Sequence, residues 1–426
     1  MAARADRYIP RIVDHELDRL LTGLPAIALE GAKGVGKTAT ATRRASRVVR
    51  LDVDQERIAF AAAPFDLKPE GTLLIDEWQR FPESWDRVRR AVDGGAPAGS
   101  FLLTGSSAPR GTTVHSGAGR LVVRRLRPLS LAERGLGEPA VSLKGLIDGE
   151  QPRVDARTGV GLPDYVDEIF SSGFPAVRAL PTDFRADALD GYLAHAVERE
   201  FAEQGAAVRR PATLRAWLRA YAAATATPAS YTTILDAATA GVPEKPSRTT
   251  TTLYRDVLAR SFLLDPVEAW TPAFNPLQRL AQSPKHYLAD PALAARLLQL
   301  SPQAVLTGTD RPRPALGPGS LLGPLFEHLV AQSVLAYAQA AGAHVGHLRQ
   351  RDGRHEVDLI VEKGRAVVAI EVKLAATVAD DDVVHLAWLR HRLGGDLADA
   401  IVVTTGQLAY RRPDGIAVVP AALLGP

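Results

Sequence analysis

Apolar residues fall at helical spacing over residues 8–22, where Ile12, Leu17, Leu20 and Leu21 share one face. Ala26–Leu29 then reads as a short buried strand that runs into a Gly-rich turn and a helix from Thr38 to Val48. Further strands are expected at Val48–Val53, Gly71–Trp78, Ser100–Leu103 and Leu121–Leu126, with a helix at Trp85–Val92. Strands alternating with helices predict an α/β unit with a parallel sheet. Residues 137–162, rich in Gly, Pro and Asp, read as a linker, and residues 163–262 as mostly helical. An apolar helix begins near Leu321, followed by strands at His355–Val361, Ala366–Lys373 and Ala400–Thr404. The pattern predicts three domains, α/β over 1–136, helical over 163–275 and α/β over 276–426, with no repeat at a fixed period.

The length of 426 residues fits that division. Lys and Arg total 51 against 48 Asp and Glu, a formal net charge of +3, which excludes a globally basic nucleic-acid coat and an acidic disordered tail. Any nucleic-acid surface must therefore be local. Cysteine is absent, which removes disulfides, thiolate catalysis and Cys-based metal sites. No apolar run has the length of a membrane span, and Met1–Arg19 has no secretory apolar core. A cytoplasmic protein with no membrane partner is expected.

Gly31-Ala-Lys-Gly-Val-Gly-Lys37-Thr38 matches the phosphate-binding loop G-x-x-x-x-G-K-[ST] between a strand and a helix. Gly31, Gly34, Val35, Gly36 and Ala39 would present backbone to the phosphates of ATP. Lys37 would reach the β and γ oxygens, and Thr38 would ligate Mg²⁺. Leu73-Leu-Ile-Asp76-Glu77 is an apolar strand ending in two acids. Asp76 would hold the magnesium and Glu77 would polarise the attacking water. The strand from Ser100 ends in Thr104-Gly-Ser106, small polar residues suited to the γ-phosphate or the water, and Arg120 follows a flexible loop.

These motifs, with Gly-Val-Gly-Lys-Thr (34–38), Ile-Asp-Glu-Trp-Gln (75–79), Leu-Thr-Gly-Ser-Ser (103–107), Gly-Arg (119–120) and Pro-Leu-Ser-Leu-Ala-Glu (128–133), resemble a prokaryotic family of AAA-type ATPases. In that family the P-loop domain precedes a C-terminal domain of unknown function. The family usually has Arg where this chain has Lys33, and Leu-Ala-Gly-Arg where it has Gly-Ala-Gly-Arg (117–120). The resemblance implies that the strand carrying Thr104 and Ser106 lies between the two Walker strands. It also implies that Arg120 acts as an arginine finger across the interface of a homo-oligomer.

Tyr231–Leu264 has the shape of a winged helix-turn-helix, an element the family also has at this place. Thr233–Ala240 would be one helix and Arg248–Arg260 the recognition helix, carrying Arg248, Thr249, Thr250, Thr251, Arg255 and Arg260; Ser261–Val267 would open the wing. Such a helix suits DNA as partner, and it equally suits packing against protein. Arg209, Arg210, Arg215 and Arg219 add a basic stripe. Gly173-Phe174-Pro175 and Tyr287–Asp290 also resemble family positions and read as packing and turn elements.

Toward the C-terminus, Glu356–Lys373 reads as a hairpin turned at Lys363-Gly364. Glu371 and Lys373 lie two apart and share a strand face; Asp358 sits on the partner strand and Glu327 on the helix Leu325–Ala336. This is the PD-(D/E)xK nuclease arrangement, in which Asp358, Glu371 and Glu327 would share a magnesium ion and Lys373 would activate water. It resembles the restriction-endonuclease-like fold at the end of the same ATPase family. A salt-bridge ladder on an amphipathic strand is the other reading of the same residues. The expected function is thus a Mg²⁺-dependent ATPase coupled to a nucleic-acid-directed module. The alternative is an ATP-dependent switch whose C-terminal parts hold protein partners without cutting.

Overall fold

The computed structural model describes residues 8–63, 67, 69–105, 119–150, 153–201, 210–240, 245–271, 282–308, 321–350 and 353–426. The N-terminal unit is a five-stranded parallel sheet of β1 (Ala26–Glu30), β2 (Arg47–Arg50), β3 (Leu73–Asp76), β4 (Phe101–Gly105) and β5 (Val122–Arg125), in the order β2-β3-β4-β1-β5. β4 lies between β1 and β3, as expected. The three central strands are apolar up to their carboxyl ends, where Glu30, Asp76 and Thr104 stand, because helices cover both faces of the sheet. Register places Asp76 opposite Thr104 and Glu30 opposite Gly105, so the carboxyl ends of these strands meet at one edge.

The helices are α1 (Ile12–Leu21), α2 (Lys37–Thr42), α3 (Asp54–Ala62), α4 (Glu83–Asp93) and α5 (Leu131–Arg134). α1 buries Val13, Leu17 and Leu20, while Ile12 and Leu21 flank that stripe. α2 stops at Thr42, six residues before the expected end, because β-branched Val48 and Val49 pair with β3 as a strand.

Residues 137–162 are not a free linker. They form β6 (Val141–Ser142), α6 (Leu143–Ile147) and β7 (Ala156–Arg157). Leu143, Leu146 and Ile147 are buried on α6, an apolar set too short to show a period in the sequence. Gly137, Pro139, Asp148, Gly149 and Asp155 lie in the connections before and between these short elements. Then come α7 (Leu162–Ser171), α8 (Pro175–Arg178), α9 (Thr182–His195), α10 (Pro211–Ala223), α11 (Tyr231–Ala238) and α12 (Arg248–Arg260). After α12, Leu264 and Val267 bridge Leu288 and Lys285 in antiparallel fashion. α13 (Pro291–Leu297) and α14 (Pro302–Thr307), expected with the C-terminal part, pack on the middle helices, α13 on α7, α9 and α10 and α14 on α7.

The C-terminal unit contains α15 (Leu322–Ala340), β8 (His344–Arg349), β9 (Glu356–Lys363), β10 (Ala366–Lys373), α16 (Val384–Leu393), β11 (Leu397–Thr404), β12 (Leu408–Arg411), β13 (Ala417–Pro420) and β14 (Leu424–Gly425). Its sheet runs β7-β12-β13-β11-β10-β9-β8, so β7 from the expected linker is an edge strand of the C-terminal sheet, and β6 pairs with β14. β9 and β10 form the expected hairpin, turned at Gly364. β10 and β11 are parallel, joined through α16.

The units pack closely. Arg125 and Arg127, at and just beyond the end of β5, pair with Asp265 at 2.8 and 2.7 Å. At the start of α5, Leu131 N donates to Ser333 Oγ at 3.1 Å and Ala132 N to Tyr337 Oη at 3.1 Å, both on α15. Among the described residues no helix is long and apolar enough to cross a membrane.

Candidate functional site

The phosphate-loop motif joins β1 to α2 at the sheet edge where the strand ends meet. Gly36 has a φ of +98° at the N-cap of α2, a left-handed conformation that disfavours a side chain. At Gly31 a Cβ would lie 2.2 Å from the carbonyl oxygen of Leu126, so the loop passes flush against the chain after β5. Lys37 Nζ donates to the carbonyls of Gly31 and Ala32 at 2.8 and 2.9 Å. Thr38 Oγ1 donates to Asp76 Oδ1 at 2.8 Å, and Thr104 Oγ1 donates to the same oxygen. The two expected magnesium residues are therefore in contact, with Thr104 beside them. Ser106 lies outside the described residues.

Glu77 follows directly in a left-handed conformation, φ +55°, rare for a residue with a long side chain. That turn breaks the strand and lets Gln79 Nε2 donate back to Glu77 Oε2. Gln79 in turn sits over Gly105, where a Cβ would come within 2.1 Å of its Oε1. Trp78 packs tilted at 42° against Trp85 of α4, 4.7 Å between ring centres, and anchors the turn. Gln79, the last residue of the Ile-Asp-Glu-Trp-Gln segment, thus bonds Glu77, a contact to which the sequence alone assigned no role.

Arg120 stands elsewhere. Its Nε pairs with Asp93 Oδ1 at 2.8 Å, at the far end of α4, and the side chain is 44% exposed. Just after Arg120, Val122 pairs with Ile27 near the amino end of β1, the edge of the sheet opposite the phosphate loop.

Arg11 is a further residue that carries no motif. It is buried and makes three links: Nε to Glu133 Oε1 at 2.9 Å, Nη1 to the Val35 carbonyl in the phosphate loop at 2.8 Å, and Nη2 to the Arg127 carbonyl at 2.7 Å. Glu133 also accepts from the Ser130 amide and hydroxyl at 2.8 and 2.9 Å, a capping box at the start of α5. The Pro-Leu-Ser-Leu-Ala-Glu segment therefore ties the phosphate loop to α5, and α5 to α15. Gly173-Phe174-Pro175 packs as expected: Phe174 Cδ1 and Pro175 Cγ stand 3.8 and 3.9 Å from where Cβ atoms of Gly34 and Gly36 would be.

In the C-terminal unit, Glu327, Asp358, Glu371 and Lys373 come together, but with a fifth member that was not anticipated. Lys285 Nζ lies 2.7 Å from Glu327 Oε1 and 2.8 Å from Asp358 Oδ1. Tyr287 Oη donates to Glu327 Oε1 at 2.6 Å, the Val372 amide to Asp358 Oδ2 at 2.9 Å, and Lys373 Nζ to Glu371 Oε1 at 3.0 Å. Burial, with help from Asp358, pushes Glu327 up to about 7 and Glu371 up to about 8. Burial opposes the charge of Lys285, but Asp358 and Glu327 outweigh it and hold its pKa above the ordinary lysine value. Among the described residues no group of three or more His, Asp or Glu is arranged to hold a metal ion. At the expected magnesium site of Glu327, Asp358 and Glu371 an ammonium therefore bridges two of the three carboxylates, taking one oxygen of Glu327 and one of Asp358.

Glu371 has a pH consequence. Its pKa rises from 4.5 to about 8 on folding. Its contribution to stability is fully present below about 4.5 and is lost as pH rises through about 8. Glu371→Gln should therefore flatten the decline in urea midpoint between about pH 5 and about pH 9. An unchanged slope would remove Glu371 as the titrating group.

Comparison with known proteins fits the geometry. Residues 24–134 match the family model of an AAA domain. The N-terminal unit is thus similar to an AAA domain over these residues. Residues 162–304 and 322–424 match two domains of unknown function, DUF8612 and DUF4143. An uncharacterized protein of Mycobacterium tuberculosis and one of Mycobacterium bovis are each 25% identical over 414 residues, 95% of this chain and 82% of the relative. Among solved structures, the Walker-type ATPase of Pyrococcus abyssi is 14% identical with a TM-score of 0.42, covering 69% of this chain and 97% of its own. The ORC2 protein of Aeropyrum pernix is 15% identical with a TM-score of 0.32, covering 72% and 98%.

Proposed function

We propose that the protein is a cytoplasmic, Mg²⁺-dependent ATPase coupled to a nucleic-acid-directed C-terminal module. The observation that carries this reading is the contact of Thr38 with Asp76 at 2.8 Å directly beneath the phosphate loop. A hydroxyl and a carboxylate are hard oxygen donors, so Thr38 and Asp76 would hold magnesium. Bound magnesium supplies charge neutralisation at the phosphates. The backbone of Gly31 and of Gly34–Ala39 holds the ATP phosphates, and Lys37 exchanges its carbonyl partners for the β and γ oxygens. Glu77, oriented by Gln79, accepts a hydrogen bond from the attacking water, and Thr104 steadies Asp76.

Arg120, at the sheet edge opposite its own phosphate loop, suits a finger offered to a second copy. ATP turnover per protomer should then rise with protein concentration, and Lys37→Ala mixed with Arg120→Ala should restore activity at shared interfaces. Concentration-independent rates with a harmless Arg120→Ala would defeat the homo-oligomer.

For the rest of the chain, helices α10–α12 followed by the paired segments at Leu264–Val267 and Lys285–Leu288 support the winged-helix reading. The β8-β9-β10-α16-β11 succession supports the restriction-endonuclease-like one. On α12, Arg248, Thr249, Thr252 and Arg260 are exposed, whereas Arg255 stacks over Tyr231 at 4.7 Å. The Thr250 hydroxyl bonds Ser247 and the Thr251 hydroxyl the Arg248 carbonyl, so the face offered to DNA is narrower than the sequence suggested. That narrowing favours the second reading, a switch with protein partners. Duplex DNA separates the two. On the first reading it stimulates ATP turnover with a salt-dependent affinity, and Arg248→Ala lowers the salt slope by about one. No stimulation and no binding at low salt would favour the switch.

A further inference from the structure

Lys285 reaches the C-terminal carboxylates from outside their sheet. Its amide donates to the Val267 carbonyl at 2.8 Å and its carbonyl accepts from Val267 at 2.9 Å, so its backbone is fixed to the segment that follows α12. The side chain, 1% exposed, passes from there into the cluster formed by α15, β9 and β10. The ammonium takes one oxygen of Glu327 and one of Asp358. The other Asp358 oxygen is taken by the Val372 amide. On the far side, Glu371 gives one oxygen to Lys373, and its second, Oε2, is buried with no hydrogen-bond partner among the described residues.

The charges account for this arrangement. Three carboxylates and two ammoniums in a buried site leave a formal charge of −1 when all are ionised, so most of the compensation is already internal. A magnesium ion needs about six oxygens near 2.1 Å. It would have to expel an ammonium that is 1% exposed and already paired with two of the carboxylates.

We propose that Lys285 is the resident cation of this centre, standing in for a divalent ion otherwise shared by Glu327, Asp358 and Glu371, so that the C-terminal domain holds a latent metal site closed. An ammonium neutralises carboxylates and fixes their geometry. It lacks the Lewis acidity that lowers the pKa of water or polarises a phosphoryl group. The C-terminal module therefore works without divalent metal and binds rather than cuts. Glu371 Oε2 is the oxygen that the ammonium does not reach and the first that an ion would find.

The test does not depend on ATP hydrolysis, so it stands whether or not the ATPase reading holds. Mn²⁺ is titrated into the nucleotide-free full-length protein and followed by electron paramagnetic resonance in the wild type, Asp358→Asn, Lys285→Met and the double variant. Wild type and Asp358→Asn should bind the same number of ions. Lys285→Met should gain one site, at least about tenfold tighter than any wild-type site, through loss of a repelling charge. Adding Asp358→Asn should abolish that site. A wild-type ion that disappears in Asp358→Asn would overturn the proposal, and so would a folded Lys285→Met with no added site. If Lys285→Met does not fold, Lys285→Gln, which removes the ammonium and leaves all three carboxylates, must gain the same ion for the proposal to survive.

Discussion

Glu77→Gln should bind ATP as the wild type does and hydrolyse it about 10²–10⁴-fold more slowly, the range expected when a group that accepts the proton of attacking water is lost. The amide preserves the shape and can still meet Gln79, so the left-handed turn at 77 and the packing of Trp78 on Trp85 should persist. Lys37→Ala should instead lose ATP binding, because the ammonium placed at the Gly31 and Ala32 carbonyls goes with it. Equilibrium binding of a fluorescent ATP analogue and single-turnover hydrolysis separate the two losses. Turnover near the wild-type rate in Glu77→Gln would move the catalytic role to another group. Gln79→Ala should fall between the wild type and Glu77→Gln: binding is intact, and the rate drops because the Glu77 carboxylate is no longer held.

Arg134→Met should destabilise the whole chain by about 3–5 kcal/mol, the usual cost of removing one partner of a buried charge network. The Arg134 side chain has 0% exposure and donates to the Leu129 and Glu168 carbonyls and to Gln332 Oε1, at 2.8, 2.8 and 2.9 Å. It also neutralises Glu168 at 3.3 Å and Asp290 at 3.7 Å. Methionine fills the volume, yet leaves Asp290 buried without its cation and the carbonyls without a donor. Since α5, α7, α13 and α15 meet at this residue, unfolding should be lowered by every probe at once. A loss below about 1 kcal/mol in urea would show that water reaches the site and takes over the role of Arg134.

The nucleotide site was legible because its chemistry is local. Loop, lysine and threonine are contiguous, and a strand ending in two acids is a pattern of neighbours. Backbone curvature and phosphate geometry dictate their spacing, so the sequence alone proposed Gly31–Thr38, Asp76 and Glu77, and the fold brings Thr38 and Asp76 into contact. Period-two alternation likewise determined that Glu371 and Lys373 share a face, and the Gly364 turn that Asp358 lies on the partner strand. The residues that link these parts left no such mark. Arg11 and Glu133 are 122 positions apart, and Lys285 and Asp358 are 73 apart. Each is an ordinary charged residue in its own neighbourhood. Only the packing of α5 and α15 shows that a buried guanidinium holds the phosphate loop to the rest of the chain. The expected linker became two short strands and a helix because β12 and β14 offered them partners, which local turn chemistry cannot announce. In the C-terminal cluster the sequence by itself determined which carboxylates would meet. The tertiary structure decided what neutralises them, because a buried charge takes whichever counter-charge the fold brings within hydrogen-bonding distance, and here the fold brings a lysine.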